Sequence, residues 1–452
     1  MPKINTKVKY MFKTIMPLSL IISFRFLGLF IVLPLISVYA LSLPGATPTL
    51  VGIVIGGYAI TQMIFQVPFG IMSDKLGRKG TIIVGLLLFA IGSIICAIAN
   101  DMLTLLLGRF LQGAGAIGAV VTAMISDIVR EEERPKAMAL MGGSIAASFA
   151  LAMLAGPLIG AYAGINTLFY LTAFLALASI YILIKKVPNP PVVTHTYHDH
   201  SKISFLANPN LIKMNITNFL QKGMMTFAFM IIPIVLTKHY GWELTDLWKV
   251  YLPAMIAGVL AMGPAAVMAE KKGKFKQILL IGIVFFALSY YLIGNSSSTP
   301  LFLVGVVIFF IGFNMHEPIM QSLTTKYIKV HEKGKVLGVF NSFGYLGTFV
   351  GGFVGGMFLQ EIDGSFAQSL HNISMVIVGV SILWIVLIAT LPNPLKKKIA
   401  YIDLDTIDNT KLNQLDSLSA CDEWYINNTE NIIIIKYDAD LLSEESLIDT
   451  IK

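Results

Sequence analysis

Charge is scarce in this chain. Asp, Glu, Lys and Arg make up 13% of the 452 residues, against 56% hydrophobic. A soluble globule of that composition would leave far more apolar surface than water tolerates, so the bulk of the chain belongs in lipid. Cysteine is almost absent. Cys96 lies in a long apolar run and Cys421 in a polar tail, so the two cannot meet and no disulfide is expected. No G-x-x-x-x-G-K-[ST] loop occurs, which excludes direct drive by ATP; no cofactor or structural metal is implied. No nucleophile and base stand together on adjacent turns, so a membrane enzyme is the least favoured class. The first apolar run has no small-residue cleavage site and is too long for a removable signal peptide.

What is present is a series of twelve apolar stretches. They lie near 14–41, 49–72, 81–99, 102–125, 137–161 and 166–185, then 211–237, 247–269, 277–294, 299–327, 335–360 and 369–391. Each is about the ~20 residues that a helix needs to cross the hydrocarbon. The connections separate cleanly by charge. One side holds Lys3 to Lys13, Lys75, Arg78, Lys79, Arg130, Arg134, Lys136, Lys185, Lys186, Lys271 to Lys276, Lys326 to Lys335 and Lys396 to Lys398. The other has Lys238 and Lys249. Basic residues stay on the cytoplasmic side, so both termini are expected there, and the basic pI reports orientation rather than nucleic-acid binding.

The organisation expected is a six-helix bundle over 1–186, a cytoplasmic linker over 187–210, a second bundle over 211–392 and a small tail domain over 396–452. Pro188, Pro190 and Pro191 break any helix in the linker. Its His195, His198 and His200 form a short histidine tract that could bind a metal, although a solvated linker with incidental histidines explains it as well. The tail from 403 onward holds twelve carboxylates against three lysines, a net of −9. Alternation in Ile399 to Leu404, a helical stretch over Asn409 to Leu418, a hairpin of Glu423 to Ile426 with Asn431 to Tyr437, and a last helix opened by Ser443 give the order β-α-β-β-α. That is a ferredoxin-like module without its final strand. Its charge predicts salt-sensitive docking on the basic loops, including Lys75 to Lys79.

The halves are copies. A step of 196 residues carries Gly70, Asp74, Gly77 and Arg78 onto Ala266, Glu270, Gly273 and Lys274, and Gly142, Gly156 and Gly160 onto Gly338, Gly352 and Gly356. The run Gly70 to Gly80, GIMSDKLGRKG, falls between two membrane-length segments. With Gly70, Asp74, Gly77, Arg78 and Lys79 in place it resembles the signature loop of the major facilitator superfamily. The resemblance implies that Asp74 latches onto helix eleven when the protein faces outward, and that Arg78 pairs with Asp127 at the end of helix four. A merely solvated basic loop is the bland alternative. Phe275 replaces a basic residue in the second copy, which leaves a latch there in doubt.

Charges inside the apolar runs mark function by default. Arg25 lies in helix one, Arg109 in helix four within an R-x-x-Q-G-x-G pattern, and Lys222 in helix seven beside Gln221. Glu317, beside His316, is the one acid well inside any run, and burial would favour its neutral form, as proton coupling needs. Arg25 and Arg109 are the candidates to tune it; a structural bond near Pro318 is the alternative. Gly113, Gly115 and Gly118 form a G-x-G-x-x-G string with no strand before it, so helix packing explains it better than a dinucleotide. Gly142, Gly156, Pro157 and Gly160 resemble the G-P-x-x-G motif of proton-coupled antiporters. Tyr58, Gln62, Gln221, Met225 and Phe313 are candidate cavity residues, Met225 and Phe313 being soft and aromatic enough for varied apolar ligands; helix packing is the alternative.

The whole layout resembles the YajR-type transporters of the drug:proton antiporter branch. It implies a monomeric, all-α protein of twelve transmembrane helices in two pseudo-symmetric bundles, in the bacterial inner membrane, exporting small amphipathic molecules in exchange for protons. A proton-coupled nutrient importer, or a membrane sensor signalling through the tail, is the alternative class.

Overall fold

The computed structural model describes residues 2–189, 208–328, 333–360, 366–392 and 397–451, apart from 408, 419, 429, 439 and 440. His195, His198 and His200 lie outside them. Among the described residues twelve helical segments are long and apolar enough to cross a membrane, numbered here as spans 1 to 12. They are Ile15–Leu41, Pro48–Leu76, Arg78–Ala97, Met102–Ile128, Lys136–Ala163 and Ile165–Lys186, then Pro209–His239, Leu244–Lys272, Phe275–Gly294, Thr299–Lys326, Val336–Phe358 and Ala367–Ala389. Each overlays one apolar stretch of the sequence, because in hydrocarbon a backbone must satisfy its N–H and C=O groups within its own helix.

Two spans of the first half are broken. Span 1 stops at Phe30 and restarts at Leu33, where Pro34 has no N–H to give to the preceding turn. Span 4 stops at Ala114 and restarts at Gly118, inside the G-x-G-x-x-G string. A Cβ on Gly113 would lie 1.9 Å from the Tyr58 carbonyl oxygen, so glycine is what lets span 4 lie against span 2.

The molecule is closed at one end and open at the other. We call the end with Asp74, Arg78 and Asp127 the basic face, and the other end the far face. At the far face one hydrophobic core is shared by both halves, from Ile31 to Ile36 and Val51 to Ile55 across to Met224 to Leu236 and Tyr251. Toward the basic face the first half keeps a core of its own, built on Ile15, Ile21, Phe69, Leu86, Val121 and Leu183. Spans 2 and 11 meet backbone to backbone: a Cβ on Gly52 would fall 2.0 Å from the Gly352 carbonyl oxygen, and one on Gly356 2.5 Å from that of Pro48. Further along span 2, Val67 and Leu76 are exposed at 67% and 66%, and no neighbour lies within 4 Å of a Cβ on Gly70.

The tail folds as strands β1 (Lys397–Asp403), β2 (Cys421–Asn427) and β3 (Ile432–Asp438) with a last helix, Glu444–Ile451. The sheet order is β1-β3-β2, antiparallel throughout, with Ile435 facing Ala400 on one side and Trp424 on the other. This is the ferredoxin-like arrangement without its fourth strand. The helix expected over 409–418 is a 3-10 helix, Asn409–Ser417. Asn, Asp and Ser compete locally for the backbone and disfavour a regular α-helix, while Leu412 and Leu415 still close the core with Leu447. Lys436 of β3 is buried and donates to the carbonyl of Ile328, just past span 10. This contact falls on the second half, where one sequestered donor and acceptor are more directional than a diffuse field.

Candidate transport site

Spans 7 and 10 bring an ion pair to the open side. Lys222 Nζ is paired with a carboxylate oxygen of Glu317, and Gln221 Nε2 donates to the same oxygen at 3.2 Å. Lys222 Nζ also stands 5.2 Å from the centre of the Phe313 ring. The side chains of Lys222 and Glu317 remain 25% and 36% exposed. Glu317 keeps part of its side chain exposed and its partner is Lys222; Arg25 and Arg109, the candidates to tune it, are engaged in the other half. A lysine on the facing helix neutralises the acid, which is how a carboxylate persists at membrane depth.

His316 belongs to the packing of the second half. Its Nε2 lies 2.8 Å from the Leu279 carbonyl oxygen, and its ring stands edge-on to Phe286 and Trp384, each at 5.6 Å between centres. One residue along a helix turns the side chain by about 100°, so His316 and Glu317 face different neighbours. Met225 and Phe313 are buried, and Phe313 lies 5.9 Å from Phe149 of span 5, which in turn meets Phe229 of span 7 at 5.9 Å. These rings cross from one half to the other beside the ion pair. Nothing in the sequence distinguished Phe149 from the other apolar residues of its helix.

In the first half, both buried arginines contact span 2. Arg109 donates to the carbonyl oxygens of Val54 and Ile55 at 3.1 and 3.4 Å and to Gln112 Oε1 at 2.8 Å, and its guanidinium carbon is 4.7 Å from the Tyr58 ring centre. It is thus a strut between spans 4 and 2. Arg25 Nη2 donates to Gln62 Oε1 at 3.1 Å, and Gln62 Nε2 donates across the two halves to the Tyr345 hydroxyl at 2.6 Å. Tyr345 escaped the sequence reading, since a tyrosine among the glycines of span 11 carries no signal of its own.

At the basic face Arg78 Nε lies 2.8 Å from Asp127 Oδ2, and its Nη1 lies 2.8 Å from Asp74 Oδ1 and also reaches Ser73. Asp74 is 69% exposed, and its ion pair is with Arg78 of its own loop. Gly77 adopts φ +83°, and Lys79 is half-buried. In the second copy the acid, rather than the base, reaches the neighbouring span: Glu270 accepts from Ser322 and pairs with Lys326 at 3.4 Å. The G-P-x-x-G stretch of span 5 lies on the break of span 1: a Cβ on Gly156 would fall 2.2 Å from Ile31 O, and one on Gly160 2.2 Å from Leu35 Cδ1. Pro157 sits inside that helix, and no neighbour approaches Gly142 within 4 Å.

Comparison with known proteins agrees with this architecture. The model of the Major Facilitator Superfamily matches residues 18–352 and 254–402. The chain is 38% identical over 354 residues to the inner membrane transport protein YajR of Escherichia coli (strain K12), covering 77% of each chain. It is 28% identical over 385 residues to multidrug resistance protein 1 of Bacillus subtilis (strain 168), covering 82% of this chain and 95% of that one. Among solved structures a D-xylose-proton symporter superposes with a TM-score of 0.69 at 15% identity, covering 84% of this chain and 98% of that one. With twelve spans in two related halves, a charged loop between spans 2 and 3 and an ion pair facing the open side, the chain is a multi-pass secondary transporter that belongs to the major facilitator superfamily.

Proposed function

We propose that the protein exports small amphipathic, drug-like molecules in exchange for protons by alternating access. The observation that carries this reading is the Lys222–Glu317 pair, half-exposed on the open side and holding the one carboxylate deep inside a span among the described residues. A proton on Glu317 dissolves the pair and leaves Lys222 charged; re-forming the pair expels the proton. If substrate binds the paired form, proton and substrate alternate, which is exchange. The basic face is the cytoplasmic one by the positive-inside rule, so the state described here is open to the cytoplasm. Multidrug resistance, for which the Bacillus relative is named, favours export; the xylose symporter shares the fold alone. The reading is tested with a panel of drug-like compounds in everted and right-side-out vesicles under an imposed pH gradient. Uptake into everted vesicles driven by inside-acid pH is expected, and uptake confined to right-side-out vesicles would make the protein an importer.

Asp74 is proposed as the latch of the opposite state, engaging the N-terminus of span 11 when the basic face closes. In the open state described here it has only its own loop to hold. Asp74→Asn is expected to raise labelling of a cysteine placed at Val67 about two- to fivefold, since a charge at a helix terminus is worth ~0.3–1 kcal/mol. Unchanged labelling with unchanged transport would remove the latch.

The tail is proposed to dock on the second half through Lys436. A cysteine at Ile328, which keeps its carbonyl, is expected to cross-link to one at Asp438, two residues along β3 from Lys436, at least tenfold faster than a cysteine at Lys75 does, and to keep doing so in high salt because the contact is buried. Preferential cross-linking to Lys75 would move the docking site to the first half.

A further inference from the structure

We infer that Arg25 is the seat of a small monovalent anion, a carboxylate or a halide, in the middle of the first half. Two arginines are fully buried among the spans, and they differ in one respect. Every nitrogen of Arg109 has an acceptor: two carbonyl oxygens and Gln112. Arg25 has one, Gln62 Oε1, while its Nε and Nη1 find no acceptor among the described residues. Three N–H bonds of a buried cation are therefore open.

Among the described residues no carboxylate answers them. The acid well inside a span, Glu317, is in the other half and held by Lys222. Phe26 and Phe89 lie 5.8 and 5.6 Å from the guanidinium carbon. Their π faces favour a cation but offer no acceptor in the guanidinium plane. A buried charge without counter-charge and with unmade donors is among the most costly arrangements a fold can hold, and it points to a bound ion or ligand. Guanidinium is the group suited to taking a carboxylate through parallel bonds, and it accepts a single halide in the same fork.

The seat also has a movable cover. Gln62 bridges Arg25 to the Tyr345 hydroxyl of span 11, so one wall comes from the opposite half and moves with it. A rearrangement of the halves would therefore change access to an anion on Arg25. If the anion is a group on the substrate, the cargo is an amphipathic organic acid, a conclusion that rests on the transporter reading. The binding itself does not, because it is measured without transport.

The test uses full-length protein in detergent, with Tm read against sodium benzoate, sodium chloride and neutral benzyl alcohol at constant ionic strength set with sulfate. A saturable rise in Tm with benzoate or chloride, absent with benzyl alcohol, is expected in the wild type. The half-saturating concentration should rise at least tenfold in Arg25→Gln. Benzoate alone identifies a carboxylate seat, chloride alone a halide seat, and both a seat that accepts either. If Arg25→Gln does not purify as a single species, Arg25→Lys replaces it, with at least a threefold rise expected because the fork is lost. No rise with either anion, an equal rise with benzyl alcohol, or affinity unchanged in the variants would overturn the seat. Anion binding that survives while the vesicle assay shows no proton exchange would refute the export reading and leave the seat standing.

Discussion

Glu317→Gln is expected to abolish proton-driven transport, by at least a hundredfold, and to weaken substrate binding. Glutamine keeps the shape and can still accept from Gln221 and Lys222, but it carries neither the charge nor the exchangeable proton. In the wild type the pair is neutral when formed and leaves Lys222 as an unpaired cation when the acid is protonated. In the variant that cation is permanent, so the site is held near its protonated form. The measurement is proton release on addition of substrate to purified protein. Release from the wild type and none from Glu317→Gln is the expected result. Equal release from both would place coupling elsewhere, with Asp127 the next acid to examine; His316, packed between Phe286 and Trp384 away from the pair, is poorly placed for the task.

A second large effect is expected at the far face, where Gly352→Val should work against the described state. A Cβ there would lie 2.4 Å from the Gly52 carbonyl oxygen, and backbone cannot swing aside as a flexible side chain can. Overpacking of this kind costs about 1–3 kcal/mol, which corresponds to a roughly five- to 150-fold shift between the two states. Labelling of a cysteine at Val67 should fall by that factor, the opposite sign to Asp74→Asn, and transport should fall with it. A drop in Tm with unchanged labelling would mean that the substitution loosens the fold without choosing between states.

The twelve spans were legible because each is decided locally: about twenty apolar residues in hydrocarbon can satisfy their backbone only as a helix, whatever surrounds them. The duplication was legible for a similar reason, since a repeated offset survives in the chain itself. The charged loop was equally plain, and the Arg78–Asp127 distance of 2.8 Å puts those two groups in contact. The tail's strand order followed from alternation, but its first helix did not, because Asn, Asp and Ser tip a short segment toward 3-10 geometry.

Partnership was another matter. Lys222 and Glu317 are 95 residues apart, and Gln62 and Tyr345 are 283 apart. No periodicity along a helix states which neighbour its charged face will meet, so the sequence suggested Arg25 or Arg109 for the acid when span 7 supplied a lysine. Two arginines that look alike in the sequence also separate only in three dimensions, one satisfied by carbonyl oxygens and the other left with open donors. Which face is closed is likewise absent from the one-dimensional pattern. Composition and spacing determined the membrane class, the number of spans, the repeat and the loop, because those follow from each segment's own chemistry. The tertiary structure alone decided the ion pair, the orphaned donors of Arg25 and the open face, because these depend on which helices pack together and on the small free-energy difference between two arrangements of the same halves.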